Sequence, residues 1–174
     1  MDFPVSSTPS GTIAGSAGSL GLAALVVSAD QSSKQWAVAR YGAGVGDGPH
    51  WLGGWFGFSY TTNSGAAFGL LADRNLLFLF IGLVVIAVIA LSWRYLPGGK
   101  LLLRISLGLQ LGGALGNLLD RLRQGYVVDF IQVRGWPVFN LADSAICCGV
   151  ALLMWYLLRM PAPAREATGT GSPS

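Results

Sequence analysis

The chain has 174 residues, of which 52% are hydrophobic and 11% charged, with a net charge of +3 and a mean hydropathy of +0.55. Soluble domains carry about 25% charged residues, so this deficit excludes an ordinary soluble globule and points to a bilayer. The small, dispersed positive charge excludes a nucleic-acid footprint, and two adjacent cysteines exclude a disulfide framework.

Residues 1–10 are small and polar, with Pro4 and Pro9, and read as a disordered tail. Residues 11–159 read as one membrane domain of four helical spans. The first span, about 11–30, is uncharged up to Asp30 and rich in Gly, Ala and Ser. A secretory signal peptide opens on a basic segment. No Lys or Arg precedes Lys34, so this stretch is expected to stay as an uncleaved span. The second span, about 75–93, is wholly apolar and bounded by Arg74 and Arg94. The third covers about 101–120, with Arg104 near its start, where a long side chain can reach the interface. The fourth covers about 140–159 and ends at Arg159; residues 160–174, rich in Pro, Ala, Gly, Ser and Thr, form a second disordered tail.

Four spans put both termini on one side. Lys and Arg are nearly tied across the membrane, so the positive-inside rule does not orient the chain. The compact basic loop 94–104 alone favours a cytoplasmic position for the termini.

Two connections are more than linkers. Residues 42–72 include the aromatic run WFGFSYTTNSGAAFGLL after a Gly-rich insert at 42–49. Within that insert, Gly44-Val45-Gly46-Asp47 matches a protease pattern by chance, because it does not lie on an apolar helix. Residues 125–139 alternate, so Val127, Asp129, Ile131 and Val133 would share one face of a strand. Both connections are expected to pack on the membrane surface and form a site.

Acids near a bilayer are costly and are functional candidates by default. Asp30 and Lys34 are spaced i, i+4 in the favourable order for a helical ion pair. Gly108, Gly112 and Gly116 form a small-residue stripe that permits close helix approach. Asn117, Asp120 and Arg121 follow at helical spacing, either as a polar brace or as a binding site for a polar headgroup. Asp129 lies among apolar neighbours, where desolvation raises a carboxyl pKa. Asp143 begins a span, and a helix N-terminus favours negative charge. Two carboxylates tuned apart suit water activation. The alternative is that Asp143 only caps its helix and Asp129 pairs with an arginine.

Other chemistries fit poorly. His50 is the single histidine and reads as a loop residue; no His or Cys cluster has metal-ligand spacing. Cys147 and Cys148 read as small buried hydrophobes. Neither a cofactor nor a metal is expected.

The pieces fall in an order that resembles signal peptidase II, the bacterial lipoprotein signal peptidase. Asp30-Gln31-Ser32-Ser33-Lys34, Asn63-Ser64-Gly65-Ala66-Ala67-Phe68 and Gly113-Ala114-Leu115-Gly116-Asn117-Leu118-Leu119-Asp120-Arg121 resemble its first three motifs. Gly125-Tyr126-Val127-Val128-Asp129-Phe130 and Phe139-Asn140-Leu141-Ala142-Asp143-Ser144 resemble its last two. The resemblance implies an all-α membrane protein of four transmembrane helices with a small extracytoplasmic β-rich cradle. It implies an aspartic endopeptidase of the bacterial inner membrane, acting as a monomer on prolipoproteins already carrying diacylglycerol and cutting just before the lipidated cysteine. Asp129 and Asp143 would be catalytic. Asn63, Gly65, Asn117, Arg121 and Asn140 would position substrate and dyad, and Asp30, Lys34 and Asp120 would shape the site. Rival readings are a small proton-coupled transporter, which should show repeat symmetry, and a non-catalytic assembly factor that binds membrane partners.

Overall fold

The computed structural model describes residues 10–42, 50–65, 75–92 and 100–160. Residues 1–9 and 161–174 of the two tails, residues 43–49 of the insert and with them the GxGD match lie outside the described residues; Ser10, expected in the tail, opens the first helix. The elements are α1 (Ser10–Tyr41), β1 (His50–Trp51), one 3-10 turn (Leu52–Gly54), β2 (Phe56–Asn63), α2 (Asn75–Ser92), α3 (Leu101–Gln124), β3 (Val127–Val133) and α4 (Leu141–Leu158). The protein is mostly helical. Among the described residues α2, α3 and α4 are long and apolar enough to cross a membrane.

Helix α3 is the hub, packed against all three other helices. It runs parallel to α1, with Gly108 beside Ser19 and Gly112 beside Val26, and antiparallel to α4, with Gly113 beside Ala142. The expected small-residue stripe is therefore a packing surface. A Cβ on Gly112 would lie 2.6 Å from Val26 Cβ, so only glycine lets the two helices come this close. Ala23, Ile89, Leu103, Leu107 and Leu111 fill the seam between α1, α2 and α3. Much of α2 faces outward, with Leu76, Phe80 and Val88 exposed, which suits a lipid solvent.

Helix α1 differs from its expected span. It is 32 residues long and runs past Asp30 to Tyr41, with the Gly42 N–H closing onto Val38 O at 2.9 Å. The first charge does not end it, because Asp30 and Lys34 neutralise each other in a buried pair. Its final turns carry the sheet. Ala37, Tyr41 and Phe130 form a second core with Phe58, Tyr60 and Ile131. The Trp36 ring stands edge-on to Phe58 and Tyr41 at 5.2 and 5.4 Å.

The sheet is antiparallel in the order β1-β2-β3, with Thr61 opposite Asp129 and Asn63 opposite Val127. His50 is not in a loop but opens β1, opposite Gly57. On β3 the expected alternation fails at its start: Val127, Val128, Asp129 and Phe130 are all buried, since both faces are covered there. Gly125, at φ +82, ends α3 in the left-handed conformation natural to glycine and turns the chain into β3.

Cys147 and Cys148 are exposed, not buried. Ala142, Ala145 and Gly149 take the inward face of α4, which leaves the cysteines on the outward, lipid-compatible side.

Candidate active site

The polar residues gather where the C-terminal halves of α1 and α3, the start of α4 and the sheet meet. Asp129 enters from β3 and is 2% exposed. Its Oδ2 accepts a hydrogen bond from Asn63 Nδ2 at 2.9 Å, and its Oδ1 one from Asn140 Nδ2 at 2.6 Å. Asn63 reaches Asp129 because β2 and β3 are paired in this register. Its amide is turned the right way by the Gly65 N–H, which donates to Asn63 Oδ1 at 3.0 Å.

Asp143 sits in the first turn of α4. Asn140 caps that helix: its Oδ1 accepts the Asp143 N–H at 2.9 Å, and its own N–H donates to Asp143 Oδ2 at 3.3 Å. This is a reciprocal capping box with an aspartate in the third position. Asn117 Nδ2 donates to Asp143 Oδ1 at 2.7 Å. Asn140 thus joins both carboxylates, holding one through its side chain and the other through a helix cap.

Burial pushes the Asp129 carboxyl up to about 6, and the negative charge of Asp143 adds to this. The hydrogen bonds from Asn63 and Asn140 and the positive charge of Lys34 act in the opposite sense. Desolvation therefore prevails, as its apolar strand neighbours suggested.

The Asp30–Lys34 pair forms as expected, at 2.8 Å, and it has a third member: Lys34 also meets Asp120 Oδ2 at 2.9 Å. The brace read around Asn117, Asp120 and Arg121 is arranged differently. Asp120 turns to Lys34 and to Gln31 Nε2, while the Asn117 side chain turns to Lys34 and the two-aspartate site. Arg121 stands apart. Its Nη1 donates to Asn117 O at 3.4 Å, its guanidinium lies 5.4 Å from the Phe78 ring centroid, and its buried Nε has no hydrogen-bond partner among the described residues.

Sequence reasoning missed two members. Gln31 donates to Asp120 Oδ1 at 2.8 Å and accepts from Arg123 Nη1 at 3.1 Å. Its place three residues before Lys34, on the same helix face, was the available signal. Gly116 is the second: a Cβ there would lie 2.7 Å from Asp30 Oδ2. Among the described residues no three or more His, Cys, Asp or Glu side chains are grouped as a metal site requires.

The arrangement keeps two buried carboxylates, each oriented by fixed amide donors. A family model described as Signal peptidase (SPase) II matches residues 22–159. A lipoprotein signal peptidase of Moorella thermoacetica is 50% identical over 137 residues, spanning 79% of this chain and 90% of the relative. One from Syntrophomonas wolfei is 44% identical over 139 residues, spanning 77% and 88%. A bacterial membrane enzyme solved by the in meso method at 1.9 Å resolution superposes with a TM-score of 0.73 at 30% identity, covering 83% of this chain and 95% of that one.

Proposed function

The chain belongs to the signal peptidase II family, and on that basis we propose that it is an aspartic endopeptidase that removes signal peptides from diacylglyceryl-modified prolipoproteins, with Asp129 and Asp143 as its catalytic pair. The observation that carries the pairing is the Asn140 bridge, which ties both carboxylates to one residue. The raised affinity of Asp129 for its proton suits it to the protonated role. Asp143, ionised, takes a proton from water as the oxygen attacks the scissile carbonyl. Asp129, protonated, donates to the carbonyl oxygen as negative charge develops there. Collapse of the tetrahedral intermediate breaks the C–N bond, and the proton on Asp143 passes to the leaving amine of the lipidated cysteine. The pair shares one proton, so its apparent pKa values belong to both groups. The transporter reading finds no support among the relatives.

In this reading α1 crosses as a fourth span, supported by its parallel packing along α3. The termini are cytoplasmic and the aspartates lie near the extracytoplasmic face of the inner membrane, at the opposite end of the bundle. The sheet rests on the membrane surface as a cradle, a position suited to its exposed Trp51, Trp55 and Trp136. The enzyme acts as a monomer, with the substrate's acyl chains left among membrane lipids. The orphaned Nε suits Arg121 to a carbonyl or carboxylate oxygen of the substrate. The test is direct: the purified chain should cleave a lipidated model prolipoprotein just before its modified cysteine. Cleavage at any other bond, or none, would refute the assignment.

A further inference from the structure

Three buried charges lie beside the two aspartates and take no part in the proposed proton transfers. Asp30 and Lys34 come from α1, and Asp120 from α3; their side chains are at most 6% exposed. The Lys34 ammonium has three protons and three acceptors: Asp30 Oδ2 at 2.8 Å, Asp120 Oδ2 at 2.9 Å and Asn117 Oδ1 at 3.0 Å.

Both acids reach further. Asp30 Oδ1 accepts the N–H of Ala142 at 2.9 Å, and Ala142 immediately precedes Asp143. Asp120 Oδ2 accepts the N–H of Val128 at 3.3 Å, and Val128 immediately precedes Asp129. Each buried acid thus holds the backbone one residue before a member of the pair, and a single ammonium holds both acids.

We propose that Lys34 is a positioning residue: by yoking Asp30 to Asp120 it sets the separation of the Asp129 and Asp143 carboxylates. The inference rests on the reading of those two aspartates as the peptidase pair. Several features fit the role. An ammonium can only donate, so Asn117 must turn its oxygen to Lys34, which leaves its Nδ2 for Asp143 at 2.7 Å. One cation therefore sets both the spacing of the pair and the direction of a donor to it. The absent side chain of Gly116 makes room for Asp30. Burying three charges carries a desolvation cost that an apolar seam would avoid, so the triad is a poor device for stability alone.

Among the described residues, the charged groups facing Asp129 on β3 and Asp143 on α4 are Asp30 and Lys34 from α1 and Arg121 from α3, with Asp120 of α3 behind Lys34. Two carboxylates that share a proton titrate as a coupled unit, and the coupling weakens as they separate.

The test is the double variant K34M/D120N. Asp30, Lys34 and Asp120 together carry −1, and Asp30 alone carries −1 in the variant, so the buried charge is unchanged while the yoke is cut. Parent and variant would be purified in the same detergent, checked for folding by thermal melting, and assayed on a lipidated model prolipoprotein across the pH range. A displacement of about 1 Å costs on the order of 100-fold in rate. The expected result is a kcat lower by about 30- to 100-fold with KM within about threefold. The bell-shaped kcat profile should narrow by about one pH unit as coupling weakens. A folded variant with kcat within about threefold of the parent and an unchanged profile would overturn the yoke. So would a variant that cannot fold, since the triad would then be a structural element. A parent that fails to cleave lipidated substrate sinks the peptidase reading instead.

Discussion

Asn140 Nδ2 lies 2.6 Å from Asp129 Oδ1, and the same side chain accepts the Asp143 N–H through its oxygen. These two duties can be separated. Serine is a good N-cap but cannot donate as an amide does. Asn140→Ser should keep the melting temperature within a few degrees while kcat falls about 10- to 100-fold, as the Asp129 contact is lost. Asn140→Ala should lose the cap as well, at a further cost of about 1 kcal/mol in stability. Equal activity in Asn140→Ser and the parent would show that Asn140 only caps α4.

Asp129→Asn and Asp143→Asn should each abolish turnover with the fold intact, measured by cleavage assay and melting on the same samples. Asp129 also predicts a sign. Its carboxyl is raised to about 6 by burial, so its neutral form is the one favoured in the folded state. That contribution is complete below the ordinary carboxylate range and is lost as pH rises through about 6. Relative to Asp129→Asn, which does not titrate, the parent should lose up to about 2–3 kcal/mol between about pH 4 and pH 7. Parallel melting curves across that range would contradict the raised value.

Arg121→Lys should weaken substrate binding more than chemistry. Lysine keeps the charge but loses the planar fork and the Nε donor. Loss of one charge-assisted hydrogen bond costs on the order of 1.5–3 kcal/mol, or roughly 10- to 150-fold in affinity. KM should rise while kcat holds. A collapsed kcat at unchanged KM would make Arg121 a brace of the two aspartates.

The termini and the aspartates should lie on opposite sides of the membrane. Single cysteines at positions 45 and 170, in a Cys147→Ala/Cys148→Ala background, report this. A membrane-impermeant thiol reagent on intact cells should label position 45 and spare position 170. The reverse pattern would invert the orientation, and labelling of both would remove a span between the two positions, one of α2, α3 and α4.

The sequence made α2 plain, because an uncharged run between two arginines has one reading. It made the Asp30–Lys34 pair plain, because i, i+4 spacing is local. It did not reveal that Lys34 also meets Asp120, which depends on α1 lying parallel to α3 with a particular stagger. It placed the end of the first span at Asp30, since a charge looks like a boundary until a partner neutralises it; the helix runs on to Tyr41. It put Cys147 and Cys148 inside, because an apolar run on a membrane helix does not say which face meets protein and which meets lipid. The candidate pair was legible only as two acids with contrasting surroundings. The Asn140 amide that joins them needed β3 and the start of α4 to be brought side by side.

Helix α3 touches every other helix, while the two aspartates lie beyond it, on β3 and on the start of α4. A ribosome delivers these parts in order: Asp30 first, the α3 framework next, Asp129 after it, and Asp143 only with the last helix. On the proposed chemistry, a nascent chain stopped anywhere before α4 has a scaffold but no working pair. Synthesis from N to C terminus therefore acts as a timer, and hydrolytic power arrives only when the final helix docks.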